Sequence, residues 1–151
     1  KVIRKEKNGG EKNYTMSKIF IDTNILVYTC DNFEKEKQKK CRNLLKTITF
    51  DFIGVISTQV LQEFYVSCVK KLKIDPLITK EIITSYEHFE VIQISQEIIK
   101  EAIDCSVLNK ISFWDSLIVS AAQYAKCSEI WSEDMSDGQI IRGIKIVNPI
   151  K

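Results

Sequence analysis

The chain has 151 residues, 44% hydrophobic and 28% charged, which suits one folded domain with a sizeable core and leaves little room for two. The net charge of +2 arises in the first fifteen residues, because the rest of the chain has 17 basic and 18 acidic residues, so overall basicity is no evidence for a nucleic-acid partner. The five cysteines form no C-x-x-C pair, and no apolar run approaches the roughly 18 residues of a membrane span, which predicts a cytoplasmic protein without a membrane partner.

Residues 1–15, KVIRKEKNGGEKNYT, show no apolar periodicity, contain an Asn-Gly-Gly break and are followed by Met16. This pattern predicts a flexible leader or a cloning remnant. No later linker, repeat or low-complexity tract divides the chain, so we expect a single domain over residues 16–151.

The first strand is predicted at KIFID, residues 18–22, within the nearly apolar run KIFIDTNILVY. Asp22 ends this strand, and Thr23-Asn24 begins a helix. A buried carboxylate must be hydrogen-bonded, paired or bound to a cation, because an isolated buried charge costs more than one domain can tolerate. Two roles fit Asp22: a cap of the following helix, and a ligand at the edge of the sheet.

A second strand, DFIGVIS, leads to a helix that Ser57 can cap, TQVLQEFYVSCVKKL. Glu63 lies on the polar face of that helix, so periodicity alone predicts a solvated glutamate. The next helix starts at Asp75-Pro76 and ends near His88, which is the only histidine of the chain. A zinc site rich in histidine is therefore excluded.

A further helix, capped by Ser95, precedes the apolar helix ISFWDSLIVSAAQYA. The latter repeats its apolar residues at helical spacing, which predicts a buried face formed by Trp114, Leu117, Ile118, Ala121, Ala122 and Ala125. Asp115 falls beside this face in the first turn, at the edge of the interior. Ser112 and Asp115 also match a capping box, so a purely structural role for Asp115 stays open.

The segment IWSEDMSDGQII places three acids within five residues after a short strand. These are Glu133, Asp134 and Asp137, preceded by Ser132. Acidic residues grouped in this way after a strand are moderately specific for a cation site.

Short β-branched or aromatic runs alternate with helical patterns along the chain. The predicted strands cover residues 18–22, 51–57, 90–94, 129–132 and 143–148. Because these runs lack strict alternation, we expect strands covered on both faces, in an α/β fold with a central parallel sheet of about five strands. In this architecture ligands bind at the carboxyl ends of the strands.

If the acids meet at that edge, their mutual repulsion needs compensation. Two carboxylates ~4 Å apart repel by about 4 kcal/mol at an effective dielectric constant of 20. Clustered carboxylates therefore require shared protons or a divalent ion, and ligation by oxygen atoms alone favours Mg²⁺ or Mn²⁺. Such sites commonly serve phosphoryl or phosphodiester transfer.

Four ordered blocks of the sequence resemble the PIN-domain nucleases, and in particular the VapC toxins of type II toxin-antitoxin pairs. The blocks are IFIDTNILVY, the apolar helix with Glu63, SFWDSLIVSAA, and WSEDMSDGQ followed by GIKIVNP. The resemblance covers residues 17–150 and implies a three-layer α/β/α sandwich around a central parallel sheet.

The resemblance also implies functional residues. Asp22, Glu63, Asp115 and Asp134 correspond to the four acids that gather one or two Mg²⁺ or Mn²⁺ ions. Asn24 is similar to the residue that steadies the first aspartate, and Ser132 to the family's Ser or Thr two residues before the fourth acid. Glu133 and Asp137 compete with Asp134 for the fourth position, although the SEDMSDGQ form implies that Asp137 shapes the loop.

The activity implied by the resemblance is metal-dependent cleavage of RNA by an endoribonuclease. The implied partners are an RNA substrate, a second copy of the chain in a homodimer, and a cognate antitoxin that covers the acidic pocket. The basic cluster EKEKQKKCR, residues 34–42, fits a solvated helix face; under the nuclease hypothesis this cluster and Arg142 would contact phosphates.

Two alternatives use the same acids differently. A phosphohydrolase of the haloacid-dehalogenase type also has an aspartate after its first strand, but it needs a D-x-D pair, and here Asn24 occupies the second position. A non-catalytic PIN-like module that binds RNA or protein would keep the acids as caps and surface charges.

Overall fold

The computed structural model describes the backbone of residues 2–6 and 12–151, and side chains from residue 15 onward. Strand β1, Val2–Glu6, pairs antiparallel with β2, Lys12–Met16, in a two-stranded sheet of their own. The sequence did not predict this pairing. The expected leader over residues 1–15 falls partly on residues 1 and 7–11, which lie outside the described residues, so the boundary at residue 16 stays a prediction.

The main sheet has six strands, of which five are parallel. They are β3 (Lys18–Ile21), β4 (Ile53–Ser57), β5 (Glu90–Ile92), β6 (Glu129–Trp131), β7 (Ile140–Ile141) and β8 (Ile144–Val147), in the order β5-β4-β3-β6-β8-β7. The five parallel strands coincide with the five predicted runs, which confirms the fold class. The two-residue β7 at the edge is antiparallel to β8 and was not predicted.

In the described part of the chain, six α-helices and a 3₁₀ turn lie between strands β3 and β6. The helices are α1 (Thr23–Tyr28), α2 (Lys35–Asp51), α3 (Thr58–Lys70), α4 (Pro76–Ser85), α5 (Gln96–Asn109) and α6 (Phe113–Tyr124), and the 3₁₀ turn is Tyr86–His88. The predicted caps are confirmed for four of them, where Ser57, Asp75, Ser95 and Ser112 each accept a hydrogen bond from an amide of the first turn.

The strand order explains the three layers. The chain steps outward from β3 to β4 and β5 and then returns to β6 on the other side of β3. Because parallel crossovers are right-handed, the outward steps put α1–α4 on one face of the sheet and the return puts α5 and α6 on the opposite face. Packing agrees, since α1 contacts α2 and α3, whereas α5 packs against α6.

The core lies between these layers, and residues of the central strands are buried on both faces of the sheet. Phe20, Ile21, Val55, Ile56 and Ile130 are all fully buried. Burial on both faces is the reason that the strands read as continuous apolar runs in the sequence. Within the described part of the chain, no helix combines the length and hydrophobicity that a membrane crossing needs.

The order of the strands also positions the site. Strand β3 leads toward β4 on one side, whereas its other neighbour, β6, leads toward β8. Chain segments that leave β3 and β6 at their carboxyl ends therefore diverge, and such a switch point is where parallel α/β sheets bind ligands. Asp22 and Ser132 are the first residues after these two strands.

Candidate active site

Four acidic residues from four elements line one cavity of about 120 Å³ at the carboxyl edge of the sheet. Asp22 follows β3, Glu63 lies in α3, Asp115 lies in the first turn of α6, and Asp134 follows β6. These are the four acids singled out from the sequence. Nothing in the chain order alone brings α3 and α6 to this edge; the packing of the helices against the sheet does.

Asp22 combines two structural tasks. Its amide donates to the carbonyl of Trp131 over 3.0 Å, which extends the β3–β6 pairing by one step. Its Oδ1 accepts from the amide of Thr23 over 2.7 Å, so it caps α1. Its Oδ2 accepts from the hydroxyl of Ser132 over 2.6 Å, and this second oxygen lies toward the loop after β6.

Burial dominates the electrostatics of Asp22. The side chain is only 8% exposed, and loss of hydration raises its pKa from an ordinary 3.8 to about 6. The hydrogen bonds from Ser132 and Thr23 lower the pKa and offset part of this rise, whereas the negative charges of Glu63 and Asp134 add to it. The carboxylate is thus in a place that favours a proton or a cation.

Asn24 connects the two loops at the switch point. Its Nδ2 donates to Oδ2 of Asp134 over 3.0 Å and, more weakly, to Oδ2 of Asp22 over 3.3 Å. Its Oδ1 accepts from the amide of Glu133 over 3.2 Å. An amide has both donors and an acceptor, so one side chain holds the two carboxylates near each other and fixes the turn that carries one of them.

Ser132 is fully buried and fixes the same turn from below. Its hydroxyl donates to Asp22 and accepts from the amides of Asp134 and Met135, each over 3.2 Å. The hydroxyl of Ser132 therefore ties the backbone of the loop that carries Asp134 to the carboxylate of Asp22, which fixes the position of Asp134 relative to Asp22.

Glu63 is held by two residues that the sequence analysis did not identify. The hydroxyl of Thr23 donates to its Oε2 over 2.7 Å, and Nε2 of Gln59 donates to its Oε1 over 3.0 Å. The expectation of a fully solvated glutamate does not hold, because α3 packs against α1 and leaves Glu63 partly buried and hydrogen-bonded. The spacing of four residues between Gln59 and Glu63 was the available clue.

Asp115 lies in the first turn of α6, and its amide donates to the hydroxyl of the N-cap residue Ser112 over 3.0 Å. Burial raises the pKa of its carboxyl, the nearby side chain of Ser112 lowers it, and the charges of Asp134 and Glu63 raise it further. Trp114 was predicted on the buried face, but its side chain is 63% exposed. The first turn of α6 is only partly buried or exposed, and the helix is buried continuously only from Ser116 onward.

Residues 19–136 match the family model of the PIN domain. The chain belongs to the PIN domain family. The matched segment contains all four acids and most of the main sheet, which confirms the resemblance found in the sequence.

Solved structures of toxins and toxin-antitoxin complexes are similar to this chain over most of its length. A toxin-antitoxin complex from Klebsiella pneumoniae matches with a TM-score of 0.66 and 22% identity, covering 87% of this chain and 97% of that chain. VapC20 from Mycobacterium tuberculosis, a Sarcin-Ricin loop cleaving toxin, matches with a TM-score of 0.65 and 13% identity, covering 77% of this chain and 89% of that chain. VapBC2 from Rickettsia felis, bound to a promoter DNA fragment, matches with a TM-score of 0.62 and 20% identity, covering 85% of this chain and 96% of that chain. A search of curated proteins finds no match.

The donor set of this PIN domain fits a hydrated divalent cation. Among the described side chains, no three His, Cys, Asp or Glu groups already form a closed metal cage. Mg²⁺ needs no such cage, since it is usually held by one or two carboxylates and keeps several waters. The cavity of about 120 Å³ has room for an ion with waters, because one water takes about 30 Å³ in the liquid.

The two competing acids of the loop after β6 are engaged elsewhere. Glu133 accepts a hydrogen bond from the ammonium of Lys37 over 2.6 Å; burial would raise the pKa of this carboxyl, but the bond to Lys37 holds it below the usual range. Asp137 accepts from the amide of Asn148 over 2.8 Å and pairs with Lys151. Neither lines the acid cavity. The geometry therefore favours Asp134 as the fourth acid.

The basic residues are distributed differently from the expectation. In the cluster of residues 34–42, Lys37 is paired with Glu133 near the site, whereas Cys41 is buried in the core. Arg142 lies in the turn before β8, at the edge opposite the acids, and donates to Glu101 over 3.0 Å and Gln123 over 3.1 Å. Its expected contact with a phosphate at the site is contradicted by this position, because β8 runs parallel to β6 and starts at the far edge.

Proposed function

We propose that this PIN domain is a metal-dependent endoribonuclease and the toxin of a toxin-antitoxin pair. The observation that carries the proposal is the convergence of Asp22, Glu63, Asp115 and Asp134 on one cavity. The residues that the structure describes along this cavity include no Lys or Arg. Grouped carboxylates without a basic partner are stable only with protons or a bound cation.

The chain's own residues would divide the work as follows. The carboxylates of Asp22 and Asp115 would hold one or two Mg²⁺ or Mn²⁺ ions, and Glu63 and Asp134 would complete the ligand set directly or through water. A divalent ion in such a site lowers the pKa of a bound water and offsets charge on the phosphate. No histidine is needed as a general base.

The neighbouring polar residues act on these acids rather than on the substrate. Asn24 and Ser132 keep Asp22 and Asp134 in register through the hydrogen bonds described above. Thr23 and Gln59 orient both oxygens of Glu63. Preorganised ligands of this kind bind a cation without further rearrangement, which benefits both affinity and catalysis.

The choice of RNA and of an antitoxin partner rests on similarity. One structural neighbour is a toxin that cleaves the Sarcin-Ricin loop, and others are toxin-antitoxin complexes, some bound to DNA. From the family resemblance we further propose that the protein acts in the cytoplasm as a homodimer that its antitoxin inhibits. Light scattering would measure the dimer, and co-purification with the product of an adjacent short gene would test the antitoxin.

Cleavage of a fluorescently labelled RNA tests the enzymatic proposal. We expect cleavage with Mn²⁺ or Mg²⁺, none with EDTA, and a loss of at least about 100-fold in Asp22→Asn and Asp115→Asn, because loss of a charged ligand weakens the ion's binding. Asp104→Asn is the matched control, since Asp104 is exposed on α5 and does not line the cavity.

Two results would overturn the proposal. Unchanged cleavage in both site variants would place the chemistry elsewhere. Absence of cleavage by a folded wild type that binds RNA or a protein partner would favour the non-catalytic module. Thermal stability with added Mn²⁺ gives an independent measurement, because a real site raises the melting temperature of the wild type and leaves Asp115→Asn unchanged.

A further inference from the structure

We propose that Trp114 stacks on an unpaired base of the RNA beside the acid cavity, which makes it a specificity residue for single-stranded segments. The inference rests on the proposed function, since it assumes an RNA substrate. It adds a residue that contacts the base, whereas the acids act at the phosphate.

The exposure of Trp114 is the first observation. Its side chain is 63% exposed, although it belongs to a helix that otherwise buries Leu117, Ile118 and Ala121. An indole left in water at this position contributes little to the core, because its apolar area is not removed from solvent. The residue also lines the acid cavity, directly before Asp115.

The second observation is that Trp114 is held in place despite its exposure. Phe113 packs against it edge-on, with ring centroids 5.4 Å apart and an angle of 65° between the rings. The backbone carbonyl of Trp114 accepts a hydrogen bond from Nε2 of Gln59 over 3.3 Å, and the same side-chain amide donates to Glu63. An exposed aromatic ring that is anchored through its backbone beside the acids and contacts Phe113 is suited to receive a flat partner, because part of the entropy of ordering it is already lost before binding.

A groove on the other side of the acids completes the path of a strand. It has a volume of about 450 Å³ and shares Thr23, Asn24, Glu63 and Asp134 with the acid cavity, but neither Trp114 nor Asp115. Its remaining wall includes Tyr28, the carboxylate of Asp31 and the ammonium of Lys71, which is the one cation among the residues that the structure describes along this groove. Trp114 and the groove therefore lie on different sides of the acids, and a strand that crosses the cavity would meet the indole on one side and a cation on the other.

This arrangement fits single-stranded RNA better than a duplex. In a duplex, both faces of a base are stacked on its neighbours, whereas bases of loops and ends can turn out and stack on an aromatic side chain. Stacking of one base changes affinity by about 5- to 100-fold when the aromatic residue is replaced by alanine. A Lys at the groove adds a phosphate contact that is independent of the base.

The two tryptophans make a direct experiment possible. Trp131 is only 8% exposed, so Trp114 is the indole that a ligand can reach. In the Glu63→Gln background with Mg²⁺, which prevents cleavage under the proposed function, an unstructured RNA of about ten nucleotides should quench tryptophan fluorescence. The same titration in a further Trp114→Phe variant leaves only Trp131, and the quenching should disappear.

Affinity is measured in parallel by fluorescence anisotropy of the labelled RNA. Trp114→Ala should weaken binding of the single strand about 5- to 100-fold, Trp114→Phe should retain most of it, and neither should change binding of the annealed duplex. Tyr124→Ala is the control, because Tyr124 is 67% exposed on the same helix but does not line the acid cavity. Since both aromatics are exposed, circular dichroism should show folded proteins throughout.

Equal affinity of Trp114→Ala and its parent for the single strand would overturn the inference, as would quenching that persists in Trp114→Phe. Cleavage by the wild type together with unchanged binding by Trp114→Ala would refute the stacking role and leave the nuclease proposal intact. An RNA strand that binds and quenches tryptophan fluorescence but is never cut by the wild type would support the stacking role and refute the nuclease proposal.

Discussion

Replacing Asp22 by asparagine should change how the stability of the metal-free protein depends on pH. Asp22 is almost fully buried, and its pKa is raised from 3.8 to about 6, chiefly by loss of hydration. A raised pKa means that the folded protein binds this proton more tightly than the unfolded chain does. Stability from this group is therefore fully present below pH 3.8 and is lost as the pH rises through 6.

The size of the effect follows from the pKa. One pKa unit corresponds to about 1.4 kcal/mol, so a rise from 3.8 to about 6 makes ionisation of Asp22 cost about 3 kcal/mol of folding free energy at neutral pH. About 2 kcal/mol of this is lost between pH 4.5 and 7.5. Asparagine does not titrate, so the stability of Asp22→Asn relative to the wild type should increase by about 2 kcal/mol across that interval.

Urea denaturation in EDTA at pH 4.5, 5.5, 6.5 and 7.5 measures the difference. The hydrogen bonds that asparagine alters at Ser132 and Asn24 add an offset at every pH, and the change with pH is free of this offset. Other titrating groups, including Asp115, are present in both proteins. Two stability curves that run parallel from pH 4.5 to 7.5 would refute the burial of an ionisable carboxyl at this position.

Three further predictions test neighbouring parts of the site. Gln59→Leu should weaken Mn²⁺ binding about 10-fold in calorimetry, because Gln59 orients Glu63; unchanged affinity would contradict that role. Lys71→Gln should weaken binding of single-stranded and duplex RNA alike and reduce its salt dependence, whereas Lys80→Gln, outside the groove, should not. The neighbouring Cys68 thiol outweighs burial and lowers the pKa of Cys30, so iodoacetamide should modify Cys30 at a lower pH than it modifies an ordinary thiol, as measured by mass spectrometry. A midpoint above pH 8 would show an ordinary thiol.

Parts of the site that follow from local chemistry were predictable. Asp22 and Asp134 were expected at one edge of the sheet because each follows a strand, and the carboxyl ends of parallel strands share an edge. The helix caps at Ser57 and Ser112 were also expected, since a cap depends only on the three residues that follow it.

Residues whose role depends on a neighbouring element were not predictable in the same way. Periodicity describes a helix face relative to its own axis and does not say what packs against that face. Glu63 was expected in water, but α1 lies against α3 and supplies Thr23 as a donor. Arg142 was expected near phosphates, but the reversal between β7 and β8 places it at the opposite edge of the sheet.

The amino-acid sequence by itself indicated the parallel sheet, through the alternation of strand and helix patterns, and it indicated the family, and with it the four acids, through the resemblance of four ordered motifs. Only the tertiary structure decided that Asn24 links two loops, that Gln59 joins Glu63 to α6, and that Trp114 faces solvent. Each of these depends on distances between residues far apart in the chain. Such distances are set by how the helices pack on the sheet, and no local pattern records them.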